Sequence, residues 1–402
     1  MDAGVLCLPK GLDVPEPLDA VTPAAAGTPV APAEVTAPPT VGVEEEFVLA
    51  GRHSRAAVHR APSVVRAALG RIGASHVTAE VSQAQVETVS AVCRTAAELE
   101  AEIVRLRRGA AAAAAEYDCL LVPSGTPVLG RPGPPPIADK PRYRAFARRF
   151  GPLMHDQGVN ACHVHVGVDD REEAVRAVNH LRGWMPLLLA ITGNSPYSDG
   201  TDTAYASWRT MVWSRWPSAG PPPYLRGVAH YERIVGQLIA SGAAMDPAMI
   251  YWYVRPSPHL PTLEVRIADV LPEAATTAAY ALLVRALVAG AVQAVRTGEP
   301  APEVPDPLLR AACWQAARHG TSGILPATHT RDHTPTAVGP LVEELWKRVE
   351  PQLTGYGDDR RVGDWLSAVQ SRGSGSSRQR RIAGHHGGSL QAVVDTLAVE
   401  PR

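Results

Sequence analysis

The stretch Thr40–Leu49, TVGVEEEFVL, runs with a period of two. Gly42, Glu44 and Glu46 fall on one parity; Val41, Val43, Phe47 and Leu49 fall on the other, with Glu45 as the exception. Side chains alternate across a strand, so this segment reads as a β-strand with one apolar and one acidic face. Three further segments repeat the pattern. Gln83–Val89 sets Gln83, Gln85 and Glu87 against Ala84, Val86 and Thr88. His163–Val168 sets His163 and His165 against Val164, Val166 and Val168. Leu263–Asp269 sets Glu264 and Arg266 against Leu263, Val265 and Ile267. A half-exposed sheet ordinarily carries a looser mix of Lys, Thr and Ser on its wet side. Acidic and His clusters mark sites, so the four polar faces are read as one site rather than as four solvated surfaces.

Helices fill the gaps between the strands. Thr95-Ala-Ala-Glu98 is a capping box that opens a helix to about Tyr117. Asp169–Glu172 opens another, continuing to about Thr192, and Pro272-Glu273 starts a long apolar helix ending near Arg296. Smaller helices are expected at about 305–319, 337–352, 360–371 and 388–399. This segregation predicts an α+β fold, with helices covering the apolar side of an antiparallel sheet. Residues 1–38, rich in Pro, Ala, Val and Thr, read as a flexible extension, and 39–402 as a single domain. Ser371–Ser377 reads as a Gly/Ser loop, and the basic run Arg378–Arg381 after it as a solvated one.

The 402 residues carry 39 basic and 40 acidic side chains, a net charge of -1. That balance lacks the electrostatic footprint of a nucleic-acid binder and gives no case for a membrane-surface protein. Five cysteines lie far apart with no CxxC spacing, so a disulfide framework is not expected and a reducing cytoplasm is the default. The apolar runs Trp184–Ile191 and Ala286–Val295 are shorter than the ~20 residues a bilayer requires, and the protein is expected to be soluble. The oligomeric state is not legible, and a homo-oligomer is compatible with the sequence.

If the four polar faces converge, Glu44, Glu46, Glu87 and Glu264 meet beside His163 or His165. Carboxylates so placed raise one another's pKa unless protons or cations neutralise them. An oxygen-rich set suits Mg²⁺ or Mn²⁺ and tolerates an imidazole, whereas zinc would call for cysteine pairs or HExxH. Arg266 adds a fixed positive charge for a phosphate or carboxylate. No Walker A loop and no GxGxxG after a strand occur, so nucleotide would be held through metals on a sheet.

The segments VGVEEEF (41–47), QVE (85–87), CHVHVGV (162–168), NSPY with ASWRTMVWSRWPSAGPPP (194–223) and VRPSPHLPTLEVRIADV (254–270) resemble, in order and spacing over residues 40 to about 400, the carboxylate–amine ligases of the type 2 glutamate–cysteine ligase family. The resemblance implies the fold shared with other glutamate–cysteine ligases and, more distantly, glutamine synthetase: a curved antiparallel sheet forming a funnel, its polar concave face lined by metal-binding carboxylates and helices packed on the outside. It implies ATP-dependent amide formation between a carboxylate substrate and an amine, with glutamate and cysteine as the reference pair, weak activity on that pair, and Mg²⁺ or Mn²⁺ as cofactor. Carried over, Glu44 and Glu46 match the first-strand metal pair, Glu87 the next carboxylate, His163 the metal-site histidine, Glu264 the late metal ligand and Arg266 the arginine at the transferring phosphate. Arg209, Arg215 and Arg255 are candidates for holding substrate carboxylate or nucleotide phosphates, each against the alternative of a surface salt bridge. Tyr253 stands where relatives often carry Asp, and Pro127 where many carry His.

Two other readings remain open at this point. One is a non-catalytic homologue that binds metal and nucleotide as a sensor or scaffold. The other is a metal-dependent hydrolase built on His163 and His165, disfavoured because the pair lies mid-chain with Glu partners. Replacing Glu264 by Ala is expected to abolish ADP formation and to spare the fold by relieving carboxylate repulsion.

Overall fold

Why should four distant segments meet? Each has an apolar parity to bury, and pairing edge to edge buries all of them on one side of a sheet. The computed structural model describes residues 37–130, 141–156 and 158–401, so nearly all of the 1–38 extension lies outside the described residues. Its strands are β1 (Val41–Gly51), β2 (Val77–Ala79), β3 (Gln85–Val89), β4 (Cys119–Val122), β5 (Ala161–Gly167), β6 (Tyr197–Ser198), β7 (Thr201–Asp202), β8 (Val254–Pro256), β9 (Thr262–Asp269) and a small antiparallel pair, β10 (Ile324–Pro326) and β11 (Pro335–Ala337). The main sheet is open and antiparallel, in the order β2-β3-β1-β5-β9-β8, with β4 pairing the far end of β1. β6 and β7 form a separate two-stranded hairpin. The architecture is the expected mix of helices and antiparallel sheet.

The strand parities hold. Val41, Val43, Phe47 and Leu49 are buried, while Gly42, Glu44 and Glu46 keep partial exposure. Val164, Val166, Leu263, Val265 and Ile267 join the main core with the helices Arg171–Arg182, Ala274–Thr297 and Val338–Tyr356. Phe47, Leu49, Val86 and Leu121 pack against the helices Ala61–Ile72 and Ala96–Ala115.

Thr95 Oγ1 accepts from the Glu98 backbone at 3.2 Å and Glu98 Oε2 from the Thr95 backbone at 3.1 Å, completing the capping box. The helix expected to run to Thr192 is instead two, Arg171–Arg182 and Met185–Thr192. Gly183 separates them, and Pro186, which lacks an N–H, sits in the first turn of the second. A side chain at Gly183 would come within 2.5 Å of the Thr328 carbonyl. The basic run Arg378–Arg381, expected in a solvated loop, lies in the helix Gly375–His385. Helix Ala274–Thr297 has the expected bounds; at 24 residues it is, as a whole, long and apolar enough to cross a membrane, although the run Ala286–Val295 within it is not. Its composition answers to the core instead: 83% of its most apolar window is buried inside the protein.

Glu45, the parity exception, points into the core. Arg107 grips it with two hydrogen bonds, Nε at 3.0 Å and Nη2 at 2.6 Å, and the Thr277 hydroxyl donates a third at 2.8 Å. Both charges are almost wholly buried. Removing one partner strands the other in low dielectric, so Glu45→Ala should cost about 3–5 kcal/mol. A denaturant midpoint checks this, and any divalent-cation dependence of the protein should be unchanged.

Candidate active site

Sheet register brings the polar residues into one row. Glu46 lies opposite Glu87 across β1 and β3, and Glu44 opposite His163 across β1 and β5. His165 lies opposite Glu264 across β5 and β9, and Arg255 opposite Glu264 across β8 and β9. The Glu44, Glu46, Glu87 and His163 part of the row faces a cleft of about 240 Å³; His165, Arg255 and Glu264 are not among its lining residues. Glu44, Glu46, Glu87, His163, Arg209 and Arg266 line it, and so do Glu80, Gln85, Tyr143, Trp213 and Tyr251.

Around Glu44 the partners are imidazoles. His163 Nδ1 is 3.1 Å from Glu44 Oε2 and His165 Nε2 is 3.3 Å from Glu44 Oε1. Burial alone would raise the Glu44 carboxyl, but its contacts with the His163 and His165 imidazoles outweigh it and hold the group well below the usual carboxylate range. Burial and the nearby Arg266 push His163 down to about 3, so its ring is neutral near pH 7. His165 Nδ1 is 3.0 Å from the Thr262 hydroxyl, while its buried Nε2 makes no hydrogen bond among the described residues. That nitrogen faces carboxylate oxygens of Glu44 and, at 4.0 Å, Glu264. One donor atom from each of Glu44, His165 and Glu264 falls within 4.8 Å of the others, which is ligand spacing for a cation. The sequence ranked His165 below His163; both reach Glu44.

The other end of the row is acidic without matching cations. Burial, reinforced by the charge of Glu80, pushes the Glu46 carboxyl up to about 8 against the pull of Arg209, a hydrogen bond from the Ala161 backbone and Arg266. Burial, then Glu80 and Glu44, push Glu87 well above its ordinary value. Glu80 escaped the sequence reading because it lies between β2 and β3, where no strand period marks its face; Thr78, opposite Glu87, is the signal that could have found it. Carboxylates that ionise only at a cost, beside a neutral imidazole, form a donor set that fits a hard divalent cation.

In chelator the sign of the pH response follows. Glu46 ionises near 4.5 when unfolded and near 8 when folded. Between these values the native state holds the extra proton, so this group's contribution to stability falls as pH rises. The denaturation midpoint in EDTA should drop from about pH 5 to about pH 8, and Glu46→Gln should flatten the decline.

The arginines divide by environment. Arg266 donates to Glu264 through Nη1, and its buried Nε makes no hydrogen bond among the described residues. Burial, reinforced by Arg255, lowers it to about 9. Arg255 donates to Glu264 at 2.8 Å and to the Ala248 and Ile250 carbonyls at 2.9 and 2.7 Å. Arg209 faces the cleft while its guanidinium donates to the Ile267 and Arg266 carbonyls at 3.1 and 3.2 Å. Arg215 is exposed, bonds back to the Val212 carbonyl at 3.1 Å and does not line the cleft. Glu264 is thus not crowded by carboxylates alone. Two arginines clasp it, so its removal would expose repulsion rather than relieve it. Tyr253 is buried in the main core, away from the cleft lining.

Residues 40–396 match the model of glutamate–cysteine ligase family 2. A protein of Saccharopolyspora erythraea, provisionally named glutamate–cysteine ligase 2-1, is 45% identical over 365 residues, covering 90% of this chain and 94% of its own length. A provisionally named glutamate–cysteine ligase 2 of Salinispora arenicola is 44% identical over 366 residues, 90% and 95% respectively. The crystal structure of glutamate–cysteine ligase from Francisella tularensis in complex with AMP superposes with a TM-score of 0.64 at 13% identity, over 90% of this chain and 88% of that one. The bifunctional glutathione synthetase of Pasteurella multocida gives 0.65 at 12% identity, over 90% and 52%. Likeness at such low identity establishes a shared fold.

Proposed function

The chain belongs to glutamate–cysteine ligase family 2, and from that premise we propose that it is an ATP-dependent carboxylate–amine ligase. The γ-phosphoryl group of ATP passes to a substrate carboxylate, giving ADP and an acyl phosphate. The lone pair of an amine then attacks the acyl carbon, phosphate leaves and an amide remains. Glutamate and cysteine are the reference substrates.

The observation that carries the reading is the register-aligned row of acids from β1, β3 and β9 beside the two histidines of β5. Glu44, Glu46, Glu80, Glu87, His163, His165 and Glu264 would hold Mg²⁺ or Mn²⁺, which when bound neutralises phosphate oxygens and supports in-line transfer. Arg266 presents a guanidinium to the cleft from a buried position, where a fixed charge stabilises a transferring phosphoryl group most effectively. Arg255 positions Glu264, and Arg209 braces β9 while adding positive charge to the wall. The reading assigns no role to Arg215. Tyr143, Trp213 and Tyr251 form an apolar wall that limits water near the reacting groups. Cys93, Cys119, Cys162 and Cys313 are free and buried, which fits work in a reducing cytoplasm.

The test is chemical trapping. With ATP, Mg²⁺, glutamate and hydroxylamine, an acyl phosphate yields a hydroxamate, read colorimetrically. ATP-dependent hydroxamate supports the reading. Binding of ATP and metal with no hydroxamate and no ADP, across a panel of amino-acid substrates, would return the protein to the sensor class.

A further inference from the structure

A second cavity, about 340 Å³, shares no lining residue with the catalytic cleft. Arg372, Arg378 and Arg381 line it, with Glu273 as the one carboxylate. Arg378 pairs with Glu273, and Arg381 donates to the Arg372 carbonyl at 2.6 Å, which fixes its direction. The Arg372 guanidinium has no hydrogen bond or ion pair among the described residues. Three guanidinium groups against one carboxylate leave an excess of two positive charges in a hollow of a chain whose net charge is -1. Ser374 and Gly375, where the helix Gly375–His385 begins, also line the cavity. The lining also includes apolar side chains: Ile191, Leu271, Trp365 and Val369.

We propose that this cavity binds a small phosphorylated molecule with an apolar or planar body. Guanidinium groups match phosphate oxygens in geometry as well as charge, and the Trp365 side offers a surface for the uncharged part. The site stands apart from the ligase reading and does not depend on it. Its placement still matters to the cleft. Ser376 N–H donates to the Gly193 carbonyl at 2.8 Å, and Gln379 Nε2 donates to Asn194 Oδ1 at 2.8 Å. Asn194 N–H donates to Asp269 at 2.7 Å, and Asp269 lies 3.8 Å from the guanidinium of Arg209, which lines the catalytic cleft.

The test uses the full chain in EDTA, which removes metal-mediated binding in the cleft. AMP and inorganic pyrophosphate are titrated by calorimetry against the wild type, Arg372→Gln/Arg381→Gln and Arg266→Gln. Arg372 and Arg381 are exposed, so their loss should leave the melting temperature unchanged. The expected result is AMP binding that weakens roughly tenfold or more in the double variant, the scale of a lost charge-assisted hydrogen bond, and persists in Arg266→Gln. AMP should also bind more tightly than pyrophosphate. No binding by the wild type, or binding lost in Arg266→Gln and kept in the double variant, would overturn the proposal.

Discussion

Glu264→Ala should abolish ADP formation and destabilise the protein at the same time. Loss of one donor that stabilises charge developing in a transition state typically costs ~10²–10³ in rate, and Glu264 both joins the cation set and holds the donor Arg266 in place, so a loss at or beyond the upper end is expected. The stability effect comes from what is left behind. Arg255 and Arg266 both donate to this carboxylate from buried positions. Removing it leaves two uncompensated cations in low dielectric, at a cost of about 3–5 kcal/mol. Glu264→Gln separates the two effects: the amide can still accept from the arginines, so stability should recover in part while ADP formation stays lost. ADP release and urea midpoints measure both. A Glu264→Ala protein that turns over ATP normally would remove this residue from the site.

The opposite sign is expected at Glu87. Its carboxyl is driven well above its ordinary value by burial and by Glu80 and Glu44, so the ionised form burdens the fold. Glu87→Gln should therefore raise the denaturation midpoint in EDTA near neutral pH. The same change deletes a ligand from the cation set, and loss of ligand-related groups commonly costs ~10–100-fold in metal affinity or activity. The wild type should gain thermal stability on adding Mn²⁺, because a ligand that binds only the native state stabilises it. That gain should shrink in Glu87→Gln. A mutant that is both more stable in chelator and less responsive to Mn²⁺ is the signature; a mutant less stable in chelator would show that the carboxyl is satisfied by some other partner.

The acidic row was legible because a strand has only two faces. Once Glu44, Glu46, Glu87, His163 and Glu264 share parity with no apolar residue of comparable size, antiparallel register does the rest. Glu80 was not legible: it sits between strands, outside any period. The arginines were legible as charges but not as contacts. Arg255 and Arg209 spend their donors on Glu264 and on backbone carbonyls, and only coordinates distinguish such bracing from ligand contact. The helix Gly375–His385 was hidden by its opening Gly-Ser-Ser, which has poor helix propensity. Packing supplies what propensity lacks, since Gln379 is fully buried and bonded to Asn194. Position 183, just past the helix Arg171–Arg182, has to be glycine because the backbone of Thr328 approaches too closely for a side chain, a contact between positions far apart in the chain.

The clasp of Arg107 on Glu45 also bears on how this chain can diverge. A one-residue insertion or deletion before Glu44 would rotate its neighbours on β1 by half a period, turning Glu44 and Glu46 toward the hydrocarbon layer and Glu45 toward the reactants. The middle glutamate therefore acts as a frame marker. Shifted alignments forfeit its arginine and are selected against through stability before catalysis is ever sampled, so length variation in this family member should accumulate in the connections and spare the first strand.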